Sequence, residues 1–264
     1  MHPFDEAVRL EALPDGRWRG RTLESYWNMV SPFGGVTAAI ALNGILLQSD
    51  RQGDPIALTV NYAAPMQQGE FEVGVRLTRA NRSTQHWAVE IRQGANAEVM
   101  VNAIAVLAVR RDTWGFTEAV RPPAVSAAES RRFRPLTAMR WPAMYDVRYA
   151  RGEVRTDSPD SLSYSWIQDA EPRAVDFLSL TAYCDTFAPR LFFRRSTFVP
   201  IGTVSLNIYF HVSADELARQ GSEPIFGVAQ GQVAHRGYFD QQAQLWGRQD
   251  RLLATTQQIV WYKE

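Results

Sequence analysis

The first half of the chain carries one dense apolar run, followed by segments in which apolar and polar residues alternate. The run extends from Val36 to about Ser49, opens after Pro32-Phe33-Gly34-Gly35 and stops before Gly53, so it predicts one buried helix. After this run the period changes to two, which is typical of strands. The alternation predicts four strands, at about 56–62, 71–77, 87–91 and 99–109.

Two further patterns complete the first half. The segments Ala7–Leu13 and Arg17–Leu23 flank Pro14-Asp15-Gly16, a turn tripeptide, and therefore predict a hairpin at the start of the chain. The segment Val99–Val109 is apolar at nearly every position, which is typical of a central strand covered on both faces. The first half is thus predicted to consist of a hairpin, one helix and four strands.

The second half repeats this order after a break in the pattern. Proline-marked residues from 115 to 143 form a predicted linker between an N-terminal repeat, 1–114, and a C-terminal repeat, 144–264. A helical stretch is predicted from about Pro172 to Ala188. The predicted strands lie at about 146–154, 161–167, 203–211, 225–235, 237–246 and 252–262.

The two repeats together predict an α+β fold in which each antiparallel sheet wraps around one long helix. The stretch Val36–Leu47 has so little polar surface that a helix there must be buried on nearly all sides, as inside a curled sheet. Two such sheets can pair edge to edge, which covers strand edges that would otherwise favour aggregation.

Charge and composition exclude several classes of function. The chain has 264 residues, and its 28 basic and 28 acidic residues cancel, so the basic surplus that nucleic acid binding needs is missing. Cys184 is the single cysteine and the four histidines are scattered, which argues against a disulfide and against a metal site. Lys263 is the only lysine, so a P-loop is excluded. Neither a signal peptide nor a membrane-spanning run is visible, and we expect a cytoplasmic protein without membrane insertion.

One acidic residue stands out in the second predicted helix. Asp185 shares a helical face with Leu178, Thr181, Ala182 and Ala188. A buried ionised carboxylate costs several kcal/mol unless it is paired, so this position requires an explanation. Either the acid ends the helix and reaches water or an arginine such as Arg190, or it is a general base whose pKa is raised by burial.

Two strands add polar side chains where apolar ones are expected. Strict alternation puts Thr203, Ser205, Asn207 and Tyr209 on one face of a strand that should be central, and we expect that polar face to point inward. In the last strand, Gln258 shares a face with Ala254, Thr256 and Val260, and its amide could hold a water molecule. For either strand alone, a solvated sheet face is the alternative explanation.

Taken in order, these segments resemble a known family. Ala-Tyr-Cys-Asp-Thr-Phe (182–187), Thr-Val-Ser-Leu-Asn-Ile-Tyr-Phe-His (203–211) and Leu-Ala-Thr-Thr-Gln-Gln (253–258) are similar to motifs of the acyl-CoA thioesterase II family, which has a double hotdog fold. Phe-Gly-Gly before the first helix and Val-Asn-Tyr-Ala-Ala-Pro-Met-Gln-Gln-Gly-Glu (60–70) after it extend the likeness to nearly the whole chain.

The resemblance implies an enzyme that hydrolyses acyl-CoA to a free acid and CoA. Asp185, Thr203 and Gln258 would hold and activate the attacking water, although the neighbouring Gln257 leaves the last position ambiguous. No metal, no cofactor and no covalent intermediate are implied, and we expect a homo-oligomer, a dimer of double hotdogs. The first helix, Gly34–Ser49, contains no acidic residue, so we expect one active site per chain.

Other residues are candidates for substrate binding. The backbone N–H groups of Gly34 and Gly35 could stabilise the thioester oxyanion. Arg194 and Arg195 could bind CoA phosphates, and a solvated charged loop is the alternative.

Three other interpretations compete with hydrolysis by activated water. A protein with this fold could bind acyl-CoA without catalysis. A hotdog hydratase would resemble its relatives in a His five residues after the Asp, where this chain has Arg190. Cys184 could be a nucleophile, but a small cysteine on an apolar helix is typical of a core residue. His86 and His211 are interpreted as surface or structural histidines.

Overall fold

A computed structural model describes residues 1–134 and 139–264. The first repeat follows the predicted order. A five-residue helix, α1 (Pro3–Ala7), precedes the hairpin of β1 (Glu11–Ala12) and β2 (Trp18–Arg21). Both strands are shorter than predicted, and Ala7 belongs to α1. The remaining elements are α2 (Gly34–Leu46), β3 (Asp54–Tyr62), β4 (Glu70–Ala80), β5 (Thr84–Gln93) and β6 (Glu98–Ala108), with a 3₁₀ turn at Glu24–Tyr26.

The second repeat has the same core elements and several short additions. Its strands are β7 (Arg131–Arg132), β8 (Tyr145–Arg151), β9 (Ser163–Asp169), β10 (Ile201–Phe210), β11 (Ile225–Gln230), β12 (Ala234–His235), β13 (Tyr238–Trp246) and β14 (Leu252–Tyr262). Its helices are α3 (Phe177–Tyr183), α4 (Leu191–Arg194) and α5 (Ala214–Gln220), with 3₁₀ turns at Trp141–Met144 and Arg248–Asp250.

One antiparallel sheet of fourteen strands joins the two repeats. Its order is β1-β2-β4-β5-β6-β3-β10-β14-β13-β11-β9-β8-β7, and β12 pairs with β13. The junction is the pair β3 and β10, whose register runs from Ala57 opposite Tyr209 to Asn61 opposite Ser205. The predicted edge-to-edge pairing is therefore present, and the fold is the double hotdog that the resemblance implied.

The helices α2 and α3 pack against each other inside this sheet. Ten of the thirteen residues of α2 are buried, which accounts for the missing polar stripe in its sequence. Among the described residues no helix is long and apolar enough to cross a membrane. The helix α2 would span only about 20 Å at the usual rise per residue.

The predicted helix from Pro172 to Ala188 is wrong in length. The helix α3 begins only after Asp176, whose side chain accepts a hydrogen bond from the N–H of Ser179 and forms a capping box with it. It ends at Tyr183, and the Asp185 N–H bonds to Ala182 three residues back in a tightened last turn. Asp185 thus follows the helix instead of lying on its face.

Two predictions about sheet faces are also wrong. In β6, Ile104 is 62% exposed, so this strand is covered on one face only. The polar residues Ser205, Asn207 and Tyr209 of β10 point to the outer face, whereas Leu206 and Ile208 are buried. The outward face of a central antiparallel strand remains in contact with solvent, which explains the polar residues there.

The sequence pattern missed some short elements. The helix α5 was not predicted, although Ser213 and Glu216 form a capping box that the sequence displays as Ser-x-x-Glu. The predicted strand at 225–235 is divided into β11 and β12. The predicted linker, 115–143, contains β7, and residues 135–138 of it lie outside the described part of the chain.

Candidate active site

The carboxyl group of Asp185 lies where the end of α3 meets the beginning of α2. A methyl group on Gly34 would lie 2.7 Å from Oδ2 of Asp185, and one on Gly35 would lie 2.6 Å from the carbonyl oxygen of Ala182. The two glycines therefore let the end of α3 lie closer to the start of α2 than any residue with a side chain would allow. This contact brings the positive end of the α2 dipole to the carboxylate.

Two donors and extensive burial set the properties of this carboxyl group. Burial raises the pKa of Asp185 to about 7, although the hydrogen bond from Gln258 and the backbone N–H of Gly35 both lower it in part. Nε2 of Gln258 donates to Oδ1 of Asp185 at 2.8 Å. Protein atoms surround the group, yet Asp185 keeps partial exposure because it lines a cavity. The carboxyl group can therefore exchange a proton near neutral pH.

The alternative in which Arg190 neutralises Asp185 does not hold. The Arg190 guanidinium is buried and donates to the carbonyl oxygens of Ser161 and Ala229 and to Oγ of Ser163. It stabilises the strands beside the site and does not contact Asp185.

The structure separates the two adjacent glutamines of β14. Gln258 is only 6% exposed and faces inward, opposite Leu206 of β10 and Gln241 of β13. Gln257 is exposed on the outer face, as strand alternation requires. Gln258 is therefore the glutamine that reaches Asp185.

Thr203 reaches the site through an irregularity in β10. Thr203 lies opposite Val260 and Ser205 lies opposite Ile259, so Val204 is an extra residue that forms a β-bulge. The bulge turns Thr203 to the inner face that Val260 occupies, whereas strict alternation had grouped it with Ser205. Its Oγ1 lies 3.5 Å from Oε1 of Gln258, a long hydrogen bond.

Asp185, Thr203 and Gln258 line a common cavity of about 400 Å³. Most of its wall is apolar and comes from both repeats. The apolar lining includes Phe33, Met66, Val101, Trp141, Phe187, Phe192, Ile201 and Val260. Such a wall suits an apolar acyl group next to a small polar centre.

Tyr62 is a site residue that the sequence analysis did not assign. It ends β3 in the first repeat, lines the cavity, and donates from its hydroxyl to the carbonyl oxygen of Gly34 at 2.8 Å. Burial and then the neighbouring Asp185 carboxylate raise the pKa of its phenol well above the usual value, so it stays a donor. Tyr62 belongs to the Val-Asn-Tyr motif, which the sequence analysis used only as part of the family resemblance.

The predicted substrate-binding residues are only partly brought together. Gly34 lines the cavity, whereas Gly35 does not, and its backbone N–H instead lowers the pKa of Asp185. Arg194 and Arg195 do not line the cavity. Arg194 is exposed at the end of α4, and Arg195 forms an ion pair with Glu264.

The remaining reactive residues do not line the cavity. Cys184 is fully buried and burial raises the pKa of its thiol well above the usual value, as for a core residue. His86 and His211 are exposed, and His211 contacts Oγ1 of Thr255. Within residues 1–134 and 139–264, no group of three or more His, Cys, Asp or Glu side chains is arranged to hold a metal ion.

Comparison with known proteins gives family matches to both repeats. Residues 23–108 match the acyl-CoA thioesterase N-terminal domain, and residues 116–262 match the acyl-CoA thioesterase C-terminal domain. No curated protein matches the sequence at a significant level.

Solved structures agree with this fold over the whole chain. A hot dog fold protein of unknown function from Alicyclobacillus acidocaldarius is 39% identical, with a TM-score of 0.95 over 100% of this chain and 99% of the other. A putative thioesterase II from Thermobifida fusca is 17% identical, with a TM-score of 0.86 over 100% and 98% of the two chains. An acyl-CoA thioesterase II from Mycobacterium marinum is also 17% identical, with a TM-score of 0.76 over 98% of each chain. The family matches to both repeats and the likeness over the full length show that this chain belongs to the acyl-CoA thioesterase family.

Proposed function

We propose that this protein hydrolyses acyl-CoA thioesters with a water molecule activated by Asp185. The observation that carries the proposal is the Asp185 carboxyl group on the wall of an apolar cavity, with a pKa raised to about 7 by burial. A carboxylate with such a pKa is a stronger base than an exposed one, and about half of it is ionised at neutral pH.

The roles of the neighbouring residues follow from their contacts. Gln258 orients the carboxylate through its bond to Oδ1, and its Oε1 remains directed toward Thr203. A water molecule between these groups would donate one proton to Asp185 and be oriented by the Thr203 hydroxyl. Its oxygen would then attack the thioester carbonyl carbon.

The proposed reaction balances without a cofactor. Asp185 accepts a proton as the water oxygen bonds to the carbonyl carbon, and the carbon–sulfur bond then breaks. The proton passes to the CoA thiolate, so the products are a free carboxylic acid and CoA. A hydratase is disfavoured because no histidine lies among the described residues that line the cavity.

Release of free thiol from a panel of acyl-CoAs tests the proposal. We expect Asp185→Asn to lower kcat by about 10²- to 10⁴-fold, because the isosteric amide accepts no proton. The control is Asp215→Asn, which changes an exposed acid on α5. Wild-type turnover in folded Asp185→Asn would contradict the mechanism. Absence of thiol release by the wild type on every chain length would favour an acyl-CoA binding protein instead.

The homo-oligomeric state and the cytoplasmic location stay predictions. Size-exclusion chromatography with light scattering tests the expected dimer of double hotdogs.

A further inference from the structure

A segment that plays no part in the proposed chemistry forms one side of the cavity. This rim loop, residues 152–160, belongs to the connection between β8 and β9 and contributes Val154 and Arg155 to the cavity lining. Phe192 and Phe198 line the cavity next to it. Arg155 is also exposed to solvent, so it lies where the cavity opens.

The rim loop is held in an unfavourable backbone conformation. Arg155 and Asp157 have φ values of 63° and 49°, in the left-handed region that residues other than glycine rarely adopt. Three hydrogen bonds attach the loop to α4 and the residues after it. They run from the Arg155 N–H to Phe192 O, from the Ser158 N–H to Phe193 O, and from the Ser196 N–H to Oδ1 of Asp157. The position of Arg155 is therefore fixed by the fold.

Arg155 differs from three neighbouring arginines in its charge environment, and it differs from Arg194, which also forms no ion pair among the described residues, because only Arg155 lines the cavity. Arg131, Arg151 and Arg195 form ion pairs with Glu153, Asp160 and Glu264. Within the described part of the chain, Arg155 has no such acidic partner, and it is the only basic residue in the cavity lining. Among the described residues that line the cavity, the other charged one is Asp185.

We propose that Arg155 binds a phosphate group of CoA at the mouth of the cavity and thereby selects CoA thioesters over thioesters without phosphate. This inference rests on the proposed function. The pantetheine arm separates the phosphates of CoA from the thioester, so a phosphate-binding cation belongs at the opening and not beside Asp185. A guanidinium binds phosphate through two parallel hydrogen bonds, and a fixed backbone lowers the cost of ordering it.

The test compares one acyl group carried by CoA and by pantetheine, which lacks the phosphates. We expect Arg155→Ala to raise KM for the acyl-CoA about 10-fold with little change in kcat, and to leave KM for the acyl-pantetheine unchanged. Arg155→Lys should give a smaller rise, because lysine keeps the charge but loses the paired geometry. The control is Arg151→Ala, which removes an ion-paired neighbour of the rim loop. It should leave KM unchanged for both substrates.

Calorimetric measurement of CoA and pantetheine affinity tests the role of Arg155 independently of hydrolysis. CoA should bind wild type more tightly than pantetheine does, and Arg155→Ala should remove most of that difference. The inference is overturned if Arg155→Ala weakens both ligands equally, if it weakens neither, or if Arg194→Ala alone weakens CoA. Absence of thiol release by the wild type would overturn the proposed function, whereas the binding comparison would still decide the role of Arg155.

Discussion

The pKa of Asp185 is set by burial, which raises it, and by two neighbouring hydrogen-bond donors, which lower it. Burial raises the pKa to about 7, and the Gln258 amide and the Gly35 N–H limit that rise. A general base of this kind must be ionised before it can accept a proton. Activity should therefore increase as the pH rises toward the pKa of Asp185 and level off above it.

The pH profile of kcat/KM tests this assignment. We expect a rise with a midpoint near pH 7, because the deprotonated form of Asp185 is the active one. Gln258→Ala removes a hydrogen bond that favours the ionised form, so its midpoint should move to higher pH and its plateau should fall. Gln257→Ala, at the exposed neighbouring position, is the matched control. An unmoved midpoint in Gln258→Ala would contradict the role of the amide.

At the scale of elements, two helix ends and one strand irregularity assemble the site. The early end of α3 places Asp185 in a turn, and the glycines at the start of α2 let that turn approach closely. The bulge at Val204 in β10 turns Thr203 inward. Each device is a local departure from regular structure, and regular elements alone would place these side chains differently.

Gly34→Ala tests the packing between the two helix ends. The added methyl group would meet Oδ2 of Asp185 at 2.7 Å and displace the carboxylate from Gln258, so we expect kcat to fall by about 10²-fold. The melting temperature should change little, since alanine is favoured over glycine in a helix. Gly74→Ala in β4 is the control, because its nearest neighbour atom is 4.0 Å away. Wild-type kcat in Gly34→Ala would show that the site tolerates a displaced carboxylate.

At the scale of the whole molecule, the beginning of the chain closes over the second repeat. Asp5 of α1 forms an ion pair with Arg173, and Nε2 of His2 bonds to the Glu171 carbonyl oxygen. Asp169 lies beneath this contact and is 2% exposed. Burial raises its pKa to about 6, and the Tyr183 hydroxyl lowers it in part without reaching hydrogen-bond geometry.

This buried acid should make the stability of the fold depend on pH. The folded state binds more protons than the unfolded state between about pH 4 and pH 6, so the free energy of unfolding should fall as pH rises through that window. Asp169→Asn removes this dependence. At pH 8 we expect the variant to melt at a higher temperature than the wild type, with a free energy of unfolding larger by about 3 kcal/mol. At pH 4 we expect a much smaller difference.

Thermal melts of wild type, Asp169→Asn and Asp215→Asn at both pH values provide the measurement. Asp215 is exposed, so its variant should follow the wild type. An equal effect of Asp169→Asn at pH 4 and pH 8 would show that Asp169 does not titrate between them.

The sequence by itself determined the repeated order of helix and strands, because hydrophobic periodicity is local and survives in any tertiary context. It also identified Asp185, Thr203 and Gln258 as candidates, through motifs similar to those of one family. Strand alternation alone, however, left Gln257 and Gln258 unresolved, and it grouped Thr203 with Ser205 and Asn207, which face outward.

Only the tertiary structure decided how these side chains meet. The contact of Gly35 with Asp185, the place of Tyr62 in the cavity wall and the position of Arg155 at its mouth join residues from distant parts of the chain. Such contacts depend on how the two repeats pack, and no local pattern records that packing. The one-residue bulge at Val204 likewise turns Thr203 to the face opposite Ser205, although the pattern of apolar residues in the sequence is the same with or without a bulge.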